Sequence, residues 1–171
     1  LQTYTPPWPM PKIFRMTNGG KLIEGIFVGD TINTPSMLCV EDYIDALQWG
    51  KSIGRLDGLS GRADSNLAAM ANWVRKTDWV DFLASQPAIR SNTSVCIKVT
   101  DPWFESLSDD AKADTAKKIA TLLDKEGVAL DIAGYRAAPA GLRIWCGATV
   151  DQADLEALTP WLDWAWAQVK A

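Results

Sequence analysis

The sequence predicts an α/β fold, in which a small, mainly antiparallel sheet has helices packed on one face and is preceded by connecting helices. Two stretches, residues 93–99 and 142–146, alternate apolar and polar side chains with the period of a strand. Residues 108–126 place apolar side chains on one stripe and lysines on the other, which is typical of an amphipathic helix. The 171 residues, 47% of them apolar, are enough for one proper core.

The first third of the chain predicts a turn-rich start followed by two helices. Residues 1–20 hold four prolines and then a Gly-Gly pair, which favours an extended lead-in segment. Residues 21–30 fit either one short strand or a loop. Helical periodicity follows over residues 37–53, ended by Gly54, and again over residues 58–76.

The rest of the chain predicts four strands and two helices. The strands are predicted over residues 79–84, 93–99, 128–132 and 142–146. One helix is predicted over residues 108–126, with Ser108 as its cap and Gly127 as its stop. The last helix is capped by Thr149 or Asp151, and Pro160 is tolerable only in its first turns or at a kink.

Composition excludes several classes of function. A net charge of −4 argues against nucleic acid as a bulk partner, and no apolar run approaches the roughly 20 residues of a membrane span. The chain has no His, which removes a Ser-His-Asp triad, His-ligated zinc and imidazole acid–base catalysis. Cys39, Cys96 and Cys146 lie in apolar settings, so we expect buried, reduced thiols in a cytosolic protein. The start has neither Met nor a signal-peptide pattern, and we expect a fragment of a longer chain.

Two arginines lie in the glycine-bounded stretch GYRAAPAGLRIWCG, residues 134–147. Arg136 lies in a Gly-, Ala- and Pro-rich turn, and Arg143 lies in the last predicted strand, on the face opposite Leu142 and Ile144. Burying a guanidinium on a half-buried strand costs free energy unless an anion pairs with it. Its planar fork fits either a carboxylate or a phosphate. Two such forks suggest a ligand with two anionic groups. Ordinary surface ion pairs remain an equally open interpretation.

Asn33 and Thr34 precede the first predicted helix. Short polar residues at this position cap a helix, and the same backbone N–H groups and helix dipole favour a bound anion. From the residues alone, capping is the preferred interpretation.

Three segments together resemble a known family. They are KIFRMTNGGKLIEGIFVGDTINTPSMLCVEDYIDAL, RSNTSVCIKVTDP, and GYRAAPAGLRIWCGATV followed by DLEALTPWLDWAW. They resemble the C-terminal part of the phosphoserine aminotransferases, in particular the alphaproteobacterial type. The resemblance implies the small C-terminal domain of a fold-type-I pyridoxal 5'-phosphate enzyme that is cytoplasmic and homodimeric. It implies transfer of an amino group between glutamate and 3-phosphohydroxypyruvate in serine biosynthesis, and some members also serve pyridoxine biosynthesis.

The resemblance also assigns roles to residues. Asn33 and Thr34 match residues that reach the cofactor phosphate of the neighbouring subunit. Arg143 matches the arginine that binds the substrate α-carboxylate, and Arg136 matches one that holds the substrate phosphate. Tyr135 replaces a histidine that several relatives carry, which makes it a candidate substrate contact without a positive charge.

The resemblance places the Schiff-base lysine upstream of the matching part, so it implies no catalytic residue in this chain and an inactive fragment. It divides the chain into residues 1–54, with the cofactor-phosphate and dimer-contact loop and a connecting helix, and the small domain, residues 55–171. Two alternatives stay open: a free-standing α/β module that binds a small phosphorylated carboxylic acid, and a structural domain whose tryptophans form an interface. No metal site is predicted.

Overall fold

The computed structural model describes residues 7–9, 11–135 and 137–171. It divides the chain into two compact units, one ending at Lys51 and the other beginning at Ser52.

The first unit consists of short elements followed by one long helix. Two 3₁₀ turns, Lys12–Phe14 and Glu24–Phe27, flank a two-stranded hairpin, and helix α1 covers Met37–Ser52. The hairpin joins β1 (Thr17–Asn18) to β2 (Lys21–Leu22) through Gly19 and Gly20, whose φ angles of 57° and 77° suit a tight two-residue turn. The segment predicted as a strand or a loop therefore contains a two-residue strand and a 3₁₀ turn.

The second unit contains the predicted antiparallel sheet. Its strands are β3 (Val80–Phe82), β4 (Ser94–Val99) and β5 (Gly141–Trp145), in the spatial order β3-β4-β5. Its helices are α2 (Arg55–Val74), α3 (Pro102–Glu105), α4 (Asp109–Lys125) and α5 (Gln152–Lys170). The two strongest predicted strands pair directly, with Val95 opposite Ile144 and Cys96 opposite Arg143.

One face of this sheet forms the core. Every second residue of β4 is buried, and Leu142 and Ile144 bury the same face of β5. Helices α2, α4 and α5 contribute Met70, Ile119 and Leu162 to the same core. The prediction of an α/β unit with helices packed on one face is therefore confirmed. Its physical cause is the two-residue alternation of the strands, which separates the apolar face from the polar one.

The predicted strand over residues 128–132 is wrong. Asp131 has a φ of +52°, a left-handed conformation that an extended strand cannot contain, and Leu130 is exposed. Only an isolated bridge joins Ala133 to Leu142, and the Ile132 carbonyl accepts a hydrogen bond from the Arg143 N–H at 2.9 Å. The segment is a loop that runs along the edge of β5.

The three thiols are free, but their burial differs. Cys146 is buried, Cys96 is half-buried and Cys39 is exposed. The prediction of a buried thiol is therefore wrong for Cys39. Its apolar neighbours Met37 and Leu38 are exposed as well, because apolar neighbours along a helix do not bury a side chain that no other element covers.

Tryptophans join α2, the turn just before β3, and α5. The Trp79 and Trp166 rings stack with centroids 4.9 Å apart, and Trp73 meets Trp79 edge-on at 5.8 Å. The indole N–H groups of Trp73 and Trp79 both donate to the Asp163 carboxylate, at 3.2 and 2.9 Å. Each buried ring thus satisfies its one polar group.

Pro160 lies inside α5. A proline has no N–H to donate to the carbonyl four residues earlier, which here belongs to Glu156. The Thr159 hydroxyl donates to that carbonyl at 3.0 Å and replaces the missing hydrogen bond. Among the helices that the structure describes, none is both long and apolar enough to cross a membrane.

Candidate functional site

Arg143 is a half-buried arginine on the polar face of β5. Its Nη2 donates to the Asp131 carboxylate at 2.9 Å and lies 3.4 Å from the Asp131 carbonyl oxygen. Its side chain is 16% exposed, whereas that of Asp131 is 87% exposed. The Arg143 Nε is buried and makes no hydrogen bond to any described residue. The guanidinium therefore keeps a donor that Asp131 does not use.

Tyr135 packs against the same guanidinium. The Arg143 Cζ lies 4.6 Å from the centroid of the Tyr135 ring, a cation–π contact. The Tyr135 carbonyl accepts a hydrogen bond from the Ala138 N–H at 2.9 Å. The structure thus brings two of the predicted site residues together. Arg136 lies outside the described residues, and its role stays a prediction.

Glycines at both ends of the turn let it return to the sheet. A Cβ on Gly141 would come within 2.2 Å of the Ile97 carbonyl oxygen, so only glycine fits where β5 begins beside β4. A Cβ on Gly134 would lie 3.2 Å from the Gly141 carbonyl oxygen. These close approaches set the register that places Arg143 opposite Cys96 and beside the 131–135 loop.

Two polar residues of α2 hold the loop that follows β5, and the sequence analysis missed both. Asn66 is 1% exposed, and its Nδ2 lies 2.9 to 3.2 Å from the carbonyl oxygens of Cys146, Gly147 and Val150. Arg62 donates to the Ala148 carbonyl at 2.6 Å and pairs with Asp151.

One signal for Asn66 was present in the sequence. Asn66 lies on the buried stripe of α2 that also holds Ala63, Met70 and Trp73. A polar side chain on such a stripe needs a buried hydrogen-bond partner. The sequence of α2 alone does not reveal which residues provide that partner.

The arrangement around Arg143 could accommodate an anion. An ion pair whose carboxylate is largely exposed contributes little to stability, so Asp131 is a weak competitor for the guanidinium. A ligand carboxylate that meets the guanidinium in a less exposed setting makes a stronger, charge-assisted hydrogen bond. The contacts around Arg143 suit the binding and orientation of an anion.

Asn33 and Thr34 belong to the other unit, where they line a groove of about 750 Å³. Its lining includes two cations, Lys12 and Arg15, together with the carboxylate of Asp30. Helix α1 begins beyond the groove, and the Cys39 N–H lies 3.5 Å from the Ser36 hydroxyl oxygen. Ser36 thus occupies the cap position, which leaves the exposed side chains of Asn33 and Thr34 available for other contacts.

The donor set of this groove fits a phosphate ester. A phosphate accepts hydrogen bonds from amide, hydroxyl, ammonium and guanidinium groups, and all four groups line the groove. The carboxylate of Asp30 opposes an anion, and the ammonium group of Lys12 in the same lining offsets that charge. The residues present therefore fit the phosphate of a cofactor.

Comparison with known proteins gives close relatives. The chain is 49% identical over 170 residues to the phosphoserine aminotransferase of Methanosarcina mazei and 51% identical to that of Methanosarcina barkeri. Each alignment covers 99% of this chain and 43% of the relative, so the chain spans less than half the length of these proteins. A phosphoserine aminotransferase from a Nocardioides species is 31% identical over 143 residues. No protein-family model matches the chain.

Solved structures give the same fold. The phosphoserine aminotransferase from Bacillus circulans subsp. alkalophilus superimposes with a TM-score of 0.64 at 16% sequence identity, over 80% of this chain and 34% of that protein. A second phosphoserine aminotransferase structure, from a study of radiation damage to the Schiff base, also gives a TM-score of 0.64. The predicted fold class, part of a fold-type-I enzyme, is confirmed.

Proposed function

Because this chain belongs to the phosphoserine aminotransferase family and matches the C-terminal portion of its members, we propose that it supplies the substrate-binding part of such a transaminase. The full-length enzyme would transfer an amino group between glutamate and 3-phosphohydroxypyruvate, giving O-phosphoserine and 2-oxoglutarate for serine biosynthesis. The single observation that carries this proposal beyond sequence similarity is Arg143, a half-buried guanidinium with a buried, unused Nε.

Arg143 is the contact for the substrate α-carboxylate. Its strand fixes the root of the side chain, and the weak pair with Asp131 leaves the guanidinium able to accept a second anion. Glutamate and phosphoserine share the α-carboxylate, so Arg143 serves both halves of the reaction. Binding at this group orients the α-carbon and its hydrogen relative to the rest of the active site.

Arg136 is the contact for the substrate phosphate. It lies seven residues before Arg143 in the sequence, in a stretch rich in Gly, Ala and Pro. A phosphate dianion pairs well with a guanidinium fork. Glutamate lacks a phosphate, so Arg136 distinguishes the two amino donors.

Asn33 and Thr34 would hold the phosphate of pyridoxal 5'-phosphate, together with Lys12 of the same groove. When bound, the cofactor supplies an electron sink for the substrate carbanion. Loss of the Thr34 hydroxyl in Thr34→Ala should weaken cofactor retention by roughly 1–2 kcal/mol, the contribution of one hydrogen bond to a charged group. Equilibrium dialysis of the full-length enzyme measures this, and unchanged retention in Thr34→Ala and Asn33→Ala would return both residues to a structural role.

The first unit requires further protein around it. Large apolar side chains are exposed along it, among them Ile13, Phe14, Val28 and Leu38. Exposed apolar surface of this extent is typical of protein interfaces. We propose that the upstream part of the same polypeptide and a partner subunit of a cytoplasmic homodimer cover it. In that arrangement residues 1–54 form the cofactor-phosphate and dimer-contact segment, and residues 55–171 form the small domain.

The 171 residues alone should not transaminate, because the lysine that carries the cofactor lies upstream in the family. The alternative function, a free-standing α/β module for a small phosphorylated acid, predicts that the isolated chain binds O-phosphoserine tightly. Calorimetric titration of the 171-residue chain with O-phosphoserine separates the two, since the proposed function expects weak binding at most.

The test of the proposed function is kcat/KM for each half-reaction in the full-length enzyme. Arg143→Ala should lose about 2–4 kcal/mol of transition-state stabilisation with glutamate and phosphoserine alike. Arg143→Lys should recover only part of it, because an ammonium does not reproduce the fork. Arg136→Ala should impair phosphoserine far more than glutamate.

Arg75→Ala provides the matched control. Arg75 ends α2 and donates to Asn72 on the surface, so its loss should leave both half-reactions near wild type. Intact glutamate turnover in Arg143→Ala, or equal impairment of both substrates in Arg136→Ala, would contradict the assigned roles.

A further inference from the structure

We propose that Tyr135 is a positioning residue for Arg143, which it orients through the face of its ring and not through its hydroxyl. This inference rests on the proposed function and deepens it. It gives Tyr135 a role in binding the α-carboxylate that both amino donors carry. A direct contact between Tyr135 and the substrate phosphate would instead concern phosphoserine alone.

The observation is the way in which the guanidinium is held. Asp131 accepts from Nη2 at 2.9 Å, along one edge of the group. The guanidinium carbon lies over the face of the Tyr135 ring, 4.6 Å from the ring centroid. The backbone N–H of Arg143, bonded to the Ile132 carbonyl, fixes the root of the side chain. The hydrogen bond to Asp131 alone leaves the guanidinium free to rotate about that contact, and the cation–π contact with the Tyr135 ring restricts this rotation.

The hydroxyl of Tyr135 plays no part in this hold. It makes no hydrogen bond to any described residue, and 62% of the residue is exposed. The ring is therefore the part of Tyr135 that the arrangement uses. Phenylalanine would supply the same ring, because a cation–π contact depends on the π face and not on a hydroxyl.

Orientation matters because a bidentate contact with a carboxylate requires the fork to lie in the plane of the ligand. A guanidinium that rotates freely must lose that freedom when the substrate binds, which weakens binding. A guanidinium that is already oriented loses no such freedom when the substrate binds. The benefit belongs to the α-carboxylate, so it is equal for glutamate and phosphoserine.

The experiment compares Tyr135→Phe and Tyr135→Leu in the full-length enzyme, with kcat/KM measured separately for glutamate and for phosphoserine. Tyr135→Phe should keep both values within about twofold of wild type, since the ring remains. Tyr135→Leu should lower both values by a similar factor of about three to ten, the range expected from loss of one cation–π contact. Tyr135→Ser, which also lacks a ring, should reproduce the loss if the leucine variant folds poorly.

A second readout follows the arginine itself. In the ¹⁵N-labelled full-length enzyme, the Nε–H resonance of Arg143 is identified by its absence in Arg143→Lys. It should keep its position in Tyr135→Phe and shift in Tyr135→Leu, because the ring no longer lies against the guanidinium. Leu130→Ala, which truncates another exposed side chain of the same loop, should change neither this resonance nor either kcat/KM.

Two results would overturn the inference. One is a lower kcat/KM of Tyr135→Phe for phosphoserine alone, which would indicate that the Tyr135 hydroxyl contacts the substrate phosphate. The other is a Tyr135→Leu enzyme with wild-type kcat/KM for both substrates. Neither result contradicts the proposed function. That function would instead be contradicted if Arg143→Ala left glutamate turnover intact.

Discussion

Removing the buried Asn66 amide should strongly destabilise the second unit. Its Nδ2 carries two hydrogens and faces three carbonyl oxygens, of Cys146, Gly147 and Val150, at 3.0, 3.2 and 2.9 Å. At most two full hydrogen bonds form at once, each contributing about 1 kcal/mol net. The carbonyls left unpaired in a buried setting add a desolvation cost of about 1–3 kcal/mol. Asn66→Ala should therefore lower the free energy of unfolding by about 3–5 kcal/mol.

The assay is urea unfolding of the 171-residue chain, followed by far-UV circular dichroism and extrapolated to zero denaturant. Asn72→Ala provides a control from the same helix, because Asn72 only accepts from Arg75 on the surface and should cost at most about 0.5 kcal/mol. Asn66→Asp should cost more than Asn66→Ala at pH 7, since a carboxylate faces carbonyl oxygens with no donor. That excess should shrink as the pH falls, because protonation restores one donor. Equal unfolding free energies for Asn66→Ala and Asn72→Ala would refute this account of the loop.

Two further predictions concern pH. The pKa of the buried Asp101 carboxyl is lowered, mainly because Lys170 donates a hydrogen bond to it at 2.7 Å. Ionised Asp101 therefore stabilises the fold at pH values above the pKa of the unfolded chain, which is near 4. This stabilisation is lost as the pH falls through the lowered pKa of the folded chain. Asp101→Asn should cost about 1 kcal/mol at pH 7 and less in urea titrations at pH 3, and a difference that does not change with pH would contradict the assignment. Burial raises the pKa of the Cys146 thiol to about 12. At pH 9 the thiol therefore stays neutral in the folded chain, whereas it ionises in the unfolded chain. The free energy of unfolding should fall between pH 9 and 12 as a result. In alkylation at pH 8 followed by mass spectrometry, the exposed Cys39 should be labelled first, and Cys146 should be labelled only when the chain unfolds. Early labelling of Cys146 would disprove its burial.

The sequence predicts those elements whose own residues decide their structure. Strand β4 alternates Val95, Ile97 and Val99 with polar residues, and the alternation survives in the structure as alternating burial. The run at residues 128–132 has the apolar composition of a strand as well. Its conformation depends on Asp131, which adopts a left-handed φ and contacts Arg143 twelve residues later. Such a contact is tertiary, and composition within the run does not encode it.

The same limit applies to the candidate site. Arg143 was predictable because a guanidinium in an alternating strand is anomalous by itself. Its partners Asp131 and Tyr135 were not predictable as partners, since their proximity depends on how the loop before β5 folds back along that strand. Asn66 and Arg62 belong to the same class, because the carbonyl groups that they satisfy lie some 80 residues away in sequence.

The stacked pair Trp79 and Trp166 has a consequence for spectroscopy. Two indoles 4.9 Å apart and within 6° of parallel, one from the turn just before β3 and one from α5, are close enough for their electronic transitions to couple. Because the two rings come from elements 87 residues apart, that coupling exists only while α5 is docked on the sheet. The near-ultraviolet dichroism of this chain therefore reports tertiary packing of the second unit without any attached label, and the signal should vanish in Trp79→Leu or Trp166→Leu while the far-ultraviolet helix signal persists.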